Sequence, residues 1–95
     1  METWRPIPKS RGQYEASSLG RIRNARTGRM LKITRFKTGD RLALHGFMAG
    51  RSYPVGQLVM MAFCPEKKGY VRHKDGNKYN NRIENLYVEE KTDED

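Results

Sequence analysis

The sequence lacks the features that define several large classes of protein. It holds one cysteine, Cys64, among its 95 residues, so no disulfide can form within the chain. Two histidines and one cysteine also cannot build a zinc finger by themselves. No apolar run approaches the roughly 20 residues of a membrane helix, and no apolar stretch of the signal-peptide kind opens the chain. We therefore expect one small domain in a reducing compartment such as a cytoplasm, with no membrane partner.

Acidic residues are scarce over most of the chain. The sequence has 19 Lys and Arg against 11 Asp and Glu, a formal net charge of +8. Residues 1–83 carry 18 of the cations and five of the acids, whereas residues 84–95 carry one cation and six acids. Eight cations crowd residues 20–41: Arg21, Arg23, Arg26, Arg29, Lys32, Arg35, Lys37 and Arg41. Such a field attracts a polyanion, and the arginine fork suits phosphate and guanine, so we predict that these eight bind nucleic acid.

Turn residues divide the middle of the chain into short pieces. Glycine-containing turns punctuate residues 14–53 at intervals that suit four or five short strands. One of them, Thr27-Gly28, separates residues 21–26 from residues 29–36 as a tight hairpin would. The sequence therefore predicts an antiparallel arrangement in this region.

The alternation of side chains predicts a sheet with two unlike faces. Leu31 and Ile33 fall on one face of an extended chain, and Lys32 and Thr34 fall on the other. Residues 41–45 repeat this period of two. We expect the apolar face to pack on a helix and the cationic face to lie along DNA.

One amphipathic helix follows the predicted strands. Its apolar residues recur at the spacing of a single helical face: Val55, Leu58, Val59, Ala62 and Phe63. Pro54 stands at the start, where proline is tolerated, and Pro65 follows the last apolar residue. A helix that covers a small antiparallel sheet makes the expected fold class α+β.

Three blocks of the sequence stand out in order along residues 4–88. The first is Trp4–Pro8 with Gly12–Arg23, the second is Val55–Phe63, and the third is His73–Leu86, which reads H-x-D-G-N-x-x-N-N-R-I-E-N-L. The first resembles the nuclease-associated modular DNA-binding motif, and the third resembles the core of HNH homing endonucleases of phages and mobile introns. The resemblance implies duplex DNA as the partner, a bacterial cytoplasm as the compartment and a C-terminal ββα-metal unit that nicks one strand.

The same resemblance implies roles for two residues. His73 takes the place of the general base that activates water, and Asn85 takes the place of the residue that orients or supports this histidine. A single divalent cation, Mg²⁺ or Mn²⁺, holds the scissile phosphate in such enzymes and stabilises the leaving oxygen. Asn80, Asn81 and Asn85 can equally staple the loop to backbone groups, whatever the chemistry.

Three positions depart from the family pattern. Arg72 stands where active members carry Asp or Asn before the base, and a guanidinium cannot ligate a metal. Glu94 stands at the position of the second metal ligand, next to Asp95, the last residue given, which leaves almost no residues for the final helix of the ββα unit. Gly56 stands where many relatives have His. The carboxylates of Glu94 and Asp93 suit Mg²⁺, but the expectation is a degenerate site without a metal cofactor.

These observations predict two segments that form one compact unit. Residues 1–53 form a basic antiparallel DNA-binding sheet, and residues 54–95 form the core helix, a degenerate HNH hairpin lacking its final helix, and an acidic tail. The favoured function is a small phage-type protein that binds duplex DNA, with catalysis lost. One alternative is a phage inhibitor of a host restriction, CRISPR or transcription complex, with a protein or ribonucleoprotein as partner. The other is an active nicking enzyme that uses His73 and Asn85. The DNA sequence read and the oligomeric state stay open.

Overall fold

A computed structural model describes residues 1–37, 39–43 and 52–90. The helix and strands are, in chain order, β1 (Trp4–Pro6), β2 (Tyr14–Ser17), β3 (Ile22–Asn24), β4 (Thr34–Phe36), β5 (Gly39–Ala43), β6 (Ser52–Pro54), α1 (Val55–Phe63), β7 (Gly69–His73) and β8 (Leu86–Glu90). A 3₁₀ turn, Ile83–Asn85, precedes β8. The α+β class, with antiparallel strands and one helix among the described residues, is confirmed.

The strands form three small antiparallel sheets rather than one. Their orders are β1-β2-β3, β4-β5-β6 and β7-β8. Strands β2 to β6 fall within residues 14–54, in agreement with the four or five strands predicted there. Strand β1 was not predicted, because a strand of three residues that ends on a proline is too short to show alternation.

Residues 29–36 contain less strand than predicted. Strand β4 begins at Thr34, and Met30 makes an isolated bridge to Arg23 instead of starting a long hairpin arm. The turn itself is present, because the N–H of Asn24 donates to the carbonyl of Arg29 at 2.9 Å. A short bridge is enough to return the chain towards the second sheet.

The predicted alternation of faces holds in this segment even without a strand. Leu31 and Ile33 are partly buried and pack against the core, whereas Lys32 and Thr34 are exposed. Leu44 and His45, which belong to the second predicted alternating run, lie outside the described residues.

Helix α1 occupies the predicted residues and supplies half of the core. It ends at Cys64, whose N–H donates to the carbonyl of Met60 at 2.7 Å. It contacts strands β1, β2, β5 and β6 as well as β7, β8 and the 3₁₀ turn, so it joins the two predicted segments. Among the described residues, ten buried apolar side chains form the core: Ile7, Tyr14, Ala16, Ile22, Val55, Leu58, Val59, Met60, Ala62 and Leu86. Within the part of the chain that the structure describes, no helix has the length and apolarity to span a membrane.

The turn between β2 and β3 docks tightly on the loop that follows β7. Gly20 has a φ of +89°, and a Cβ built on it would lie 2.9 Å from the backbone oxygen of Asn81. Beside this contact, the N–H of Ile83 donates to the carbonyl of Ser18 at 2.9 Å. Glycine is required at position 20 both by its left-handed backbone and by the lack of space. This approach fixes the first sheet against the C-terminal loop.

Replacing Gly20 by alanine tests this docking. Gly28 is a matched control, because its φ of +75° imposes a similar strain while a Cβ there would meet nothing within 4 Å. We expect Gly28→Ala to lower the free energy of unfolding by about 1–2 kcal/mol through the left-handed backbone alone. Gly20→Ala adds overpacking of about 1–3 kcal/mol. Urea denaturation measures both, and equal losses would contradict the close approach.

Candidate functional site

A cleft of about 340 Å³ lies between the start of α1, strand β7 and the loop that follows it. His73, the last residue of β7, lines this cleft together with Gly56, Lys78 and Asn81. The period of two along β7 turns Val71 and His73 towards the interior, where both are half-buried. The strand thus delivers the predicted histidine to the wall of the cleft.

The ring of His73 is held by Asn81. The His73 Nε2 lies 2.8 Å from the Asn81 Oδ1, and Asn81 itself is 6% exposed. Because an amide oxygen only accepts, Nε2 donates and the neutral imidazole keeps a free lone pair on Nδ1. The contact therefore fixes both the tautomer and the direction of the ring.

Gly56 makes room for this pair. A Cβ built on Gly56 would lie 3.0 Å from the Asn81 Oδ1 and 3.6 Å from the His73 Nε2. Any side chain here would press on the hydrogen bond between Asn81 and His73. The departure from the family pattern at Gly56 is therefore coupled in space to the way in which the histidine is held.

The side chain of Asn85 bonds to the loop directly after His73, and no contact between it and the His73 ring is among the described hydrogen bonds. Its amide nitrogen donates to the Asp75 Oδ1 at 3.0 Å and to the Asn80 carbonyl at 2.9 Å, and its oxygen accepts from the N–H of Asp75 at 3.2 Å. Within the described residues, the side chain that orients His73 is Asn81. Sequence reasoning put Asn81 among the loop staples, since a contact across eight residues of loop leaves no periodic signal.

Asp75 is the acceptor at the centre of this loop. Its carboxylate accepts hydrogen bonds from the Asn80 amide at 3.0 Å, the Asn77 N–H at 2.8 Å and the Asn85 amide at 3.0 Å. These donors, the Asn80 amide first, hold the pKa of Asp75 below its ordinary value of 3.8. The loop is therefore ordered around a charged carboxylate that faces amides rather than the cleft.

The described residues at the cleft do not fit the divalent cation that an HNH site implies. Arg72 bonds to Glu89 on the neighbouring strand, with Nε and Oε1 2.8 Å apart, so that carboxylate is occupied by a guanidinium. Over the ranges that the structure describes, no three His, Cys, Asp or Glu side chains converge. Mg²⁺ prefers carboxylates and other hard oxygens, and no carboxylate is among the described side chains that line the cleft. Asp93 and Glu94 lie outside the described residues.

Two of the eight predicted nucleic-acid ligands are engaged by acids. Arg21 makes a bidentate ion pair with Glu2, which lowers the pKa of Glu2 to about 2. The Arg23 Nε donates to the Glu15 Oε1 at 2.7 Å, across the β2-β3 pair. The Arg23 guanidinium also lies 4.0 Å from the centre of the Trp4 ring. These contacts tie the first sheet together and neutralise part of its charge.

The remaining predicted ligands form a more open surface. Arg26, Arg29, Lys32 and Lys37 are exposed, and none makes an ion pair with a described residue. Arg35 is exposed too, but its guanidinium lies 4.2 Å from the centre of the Tyr79 ring, so it packs on the C-terminal loop. The backbone of Arg41 lies in β5, while its side chain is outside the described part of the structure. The count of charged residues in the sequence did not distinguish the ion-paired arginines from the exposed cations.

Comparison with known proteins identifies the family. Residues 2–42 match the NUMOD4 motif, and residues 58–93 match the HNH endonuclease family. The chain is 36% identical over 86 residues to the DNA endonuclease I-HmuI of Bacillus phage SP01. It is 39% identical over 75 residues to an uncharacterized HNH endonuclease of Acanthamoeba polyphaga mimivirus. The chain is therefore homologous to HNH homing endonucleases and carries both the NUMOD4 and the HNH motif.

A solved structure of an HNH homing endonuclease has the same fold. It describes DNA binding and cleavage by I-HmuI, with a TM-score of 0.75 and 34% identity over 88% of this chain. The resemblance read from the sequence is thereby confirmed. The chain spans 50% of that solved chain, 49% of the phage enzyme and 23% of the mimivirus protein. What the whole relatives do is therefore a matter for proposal here.

The HNH histidine gives a spectroscopic prediction. Because the Nε2 donates to Asn81, long-range ¹⁵N–¹H spectra of the neutral His73 ring should show a protonated Nε2 and an unprotonated Nδ1. Asn81→Ala removes the acceptor, so the ring should change towards a mixture of both tautomers. An Nδ1–H tautomer in the unmodified protein would contradict the assigned contact.

The ion pair between Glu2 and Arg21 predicts a pH dependence of stability. The pKa of Glu2 is lowered from 4.5 to about 2, so its stabilising effect is full above pH 4.5 and is lost as the pH falls towards 2. Glu2→Gln should flatten the decline of stability in that window, as measured by chemical denaturation at a series of pH values. Glu66→Gln removes an exposed carboxylate without an ion pair to any described residue and serves as the control. An unchanged decline in Glu2→Gln would show that this pair contributes nothing.

Proposed function

We propose that this HNH-family chain binds duplex DNA through the exposed cations of residues 26–37 and does not itself cleave it. The observation that carries the proposal is the set of four cations without an ion pair to any described residue: Arg26, Arg29, Lys32 and Lys37. No Asp or Glu occurs anywhere in residues 16–39, so nothing within the segment neutralises them. A surface of this kind lowers the free energy of a bound polyanion by releasing its counterions.

The ion-paired arginines support the proposal indirectly. Arg21 and Arg23 are held by Glu2 and Glu15, so phosphate would have to compete with a carboxylate for each of them. Their contacts hold β1, β2 and β3 in register. We therefore assign them mainly to the framework that presents the open surface, and the open cations to DNA contact.

The cleft that His73 lines supports the proposal that the chain does not itself cleave DNA. A general base at His73 needs a water to activate and a cation to hold the scissile phosphate. The residue before His73 is Arg72, a permanent cation held by Glu89, where the family resemblance implies a metal-binding Asp or Asn. His73 and Asn81 can then serve to order the cleft wall. Cleavage would need donors from outside the described residues, either Asp93 and Glu94 or a second chain.

A salt series of binding measurements on duplex DNA tests the DNA proposal. Lys32→Ala removes one phosphate contact, so the slope of log K against log salt should become shallower by about 0.9 and affinity at 0.1 M salt should fall about eightfold. Lys67→Ala removes an exposed cation in the loop that follows α1. It should change neither the salt slope nor the affinity. Equal effects of the two variants would contradict a defined surface. If the unmodified protein does not bind DNA, the DNA proposal fails and a protein or ribonucleoprotein partner takes its place.

A supercoiled-plasmid assay tests the loss of cleavage. The protein is incubated with plasmid in EDTA, Mg²⁺ or Mn²⁺, next to the His73→Ala variant. We expect no nicks above the EDTA background in any of them. Metal-dependent nicks that disappear in His73→Ala would overturn this half of the proposal and identify the chain as a nicking enzyme.

A further inference from the structure

Two turns meet at one end of the first sheet and enclose a small cleft. The first turn is residues 8–13, before β2, and the second is residues 24–29, after β3. The N–H of Ala25 donates to the carbonyl of Gln13 at 2.8 Å, which ties the two turns together. The cleft between them is about 280 Å³, and Arg11 and Arg26 both line it. Arg11 is not among the cations that the sequence singled out.

The first turn has an unusual backbone. Lys9 has a φ of +67° and Arg11 a φ of +57°, and Gly12 follows at +75°. Only glycine enters this left-handed region without steric strain, and asparagine and aspartate are the next most tolerated. Two strained positions are thus occupied by long cations where an uncharged glycine would fit more easily. Strain of this kind concentrates at functional sites.

Buried and local hydrogen bonds hold both turns in place. The hydroxyl of Ser10, which is 3% exposed, donates to the carbonyl of Ile7 at 2.8 Å, and the Ser10 carbonyl accepts from the N–H of Gln13 at 3.1 Å. In the second turn, the Asn24 side-chain oxygen accepts from the N–H groups of Arg26 and Thr27 at 2.9 and 3.0 Å. The two arginines therefore extend from backbone that is already fixed.

The charge around the cleft is of one sign. Lys9, Arg11, Arg26 and Arg29 are exposed and make no ion pair or ring contact with any described residue. No acid occurs in residues 3–14 or 16–39, and Glu15, which lies between these stretches, is bonded to Arg23. A rigid, cationic cleft with two guanidinium groups is suited to a tetrahedral oxyanion.

We propose that the two turns form a phosphate clamp, in which Arg11 and Arg26 bind the same backbone phosphate of duplex DNA. The clamp rests on the proposed DNA-binding function and extends the contact surface to a turn before β2. It fixes the position of the first sheet on the duplex, because a phosphate held from two sides has little freedom to slide. Lys9 and Arg29 flank the clamp and add to the field that draws the phosphate in.

The clamp is tested by salt-dependent binding of Arg11→Gly, Arg26→Ala and the double variant. Each single change should reduce the slope of log K against log salt by about 0.9 and weaken binding about eightfold at 0.1 M salt. Because both arginines bind one phosphate, the double variant should lose about 0.9 as well, rather than twice that amount. Arg11→Lys keeps the charge and should retain most of the affinity, and Lys67→Ala should match the unmodified protein.

The Arg11→Gly variant separates binding from folding. Glycine relieves the left-handed strain, so the Tm should stay the same or rise while DNA affinity falls. A fall in Tm together with affinity would overturn the clamp, because the turn would then act through the fold. If Arg11→Gly leaves the affinity unchanged while Lys32→Ala weakens it, the clamp is wrong and the DNA-binding function stands.

A second measurement tests whether the clamp binds phosphate, even if the protein does not bind DNA. Inorganic phosphate is titrated at constant ionic strength against a chloride control, and the amide resonances are followed by NMR. Shifts confined to residues 11–13 and 25–27 that disappear in Arg11→Gly would support the clamp independently of DNA. Absence of such shifts would overturn the clamp, both in a protein that does not bind DNA and in one whose DNA affinity does not depend on Arg11.

Discussion

Asn81 lies between two glycines, and this close packing keeps the first sheet, helix α1 and the HNH loop in one arrangement. Its backbone oxygen occupies the place of a side chain at Gly20, and its amide oxygen occupies the place of one at Gly56. The same amide oxygen accepts from the ring of His73. One residue thus couples the docking of the first sheet to the orientation of the HNH histidine. A change at either glycine is transmitted to both because packed interiors leave no room for independent adjustment.

Three glutamates of the described residues form ion pairs with arginines on the cationic surface. Glu2 and Glu15 hold Arg21 and Arg23 on the first sheet, and Glu89 holds Arg72 on the β7-β8 pair. Ion pairs that stay in contact with solvent contribute modestly to stability, and they also decide which cations stay available to a polyanion. The available ones lie along the turns and the segment that follows β3. Net charge alone therefore overstates the number of residues that can contact phosphate.

His73 lies in the wall of the HNH cleft, and hydrogen bonds from amide groups to Asp75 order the loop that follows it. Asp75 collects hydrogen bonds from Asn80, Asn77 and Asn85, and the pKa of this carboxyl is lowered as a result. Among the described residues, the donors to the Asp75 carboxylate are uncharged N–H groups, so the loop is ordered by hydrogen bonds rather than by an ion pair. This explains how an HNH fold can retain its shape when the residue before the histidine is Arg72.

Local patterns in the sequence determined the elements that depend on neighbours in the chain. The spacing of apolar residues between Pro54 and Pro65 gave the bounds of α1, and the period of two gave the exposure of Lys32, because both patterns are set by backbone geometry. The pairing of His73 with Asn81 and of Arg21 with Glu2, 19 residues away, was decided only by the tertiary structure. So was the meeting of Arg11 and Arg26 at one cleft. Contacts of this kind depend on how separate elements pack, and no periodicity along the chain records them.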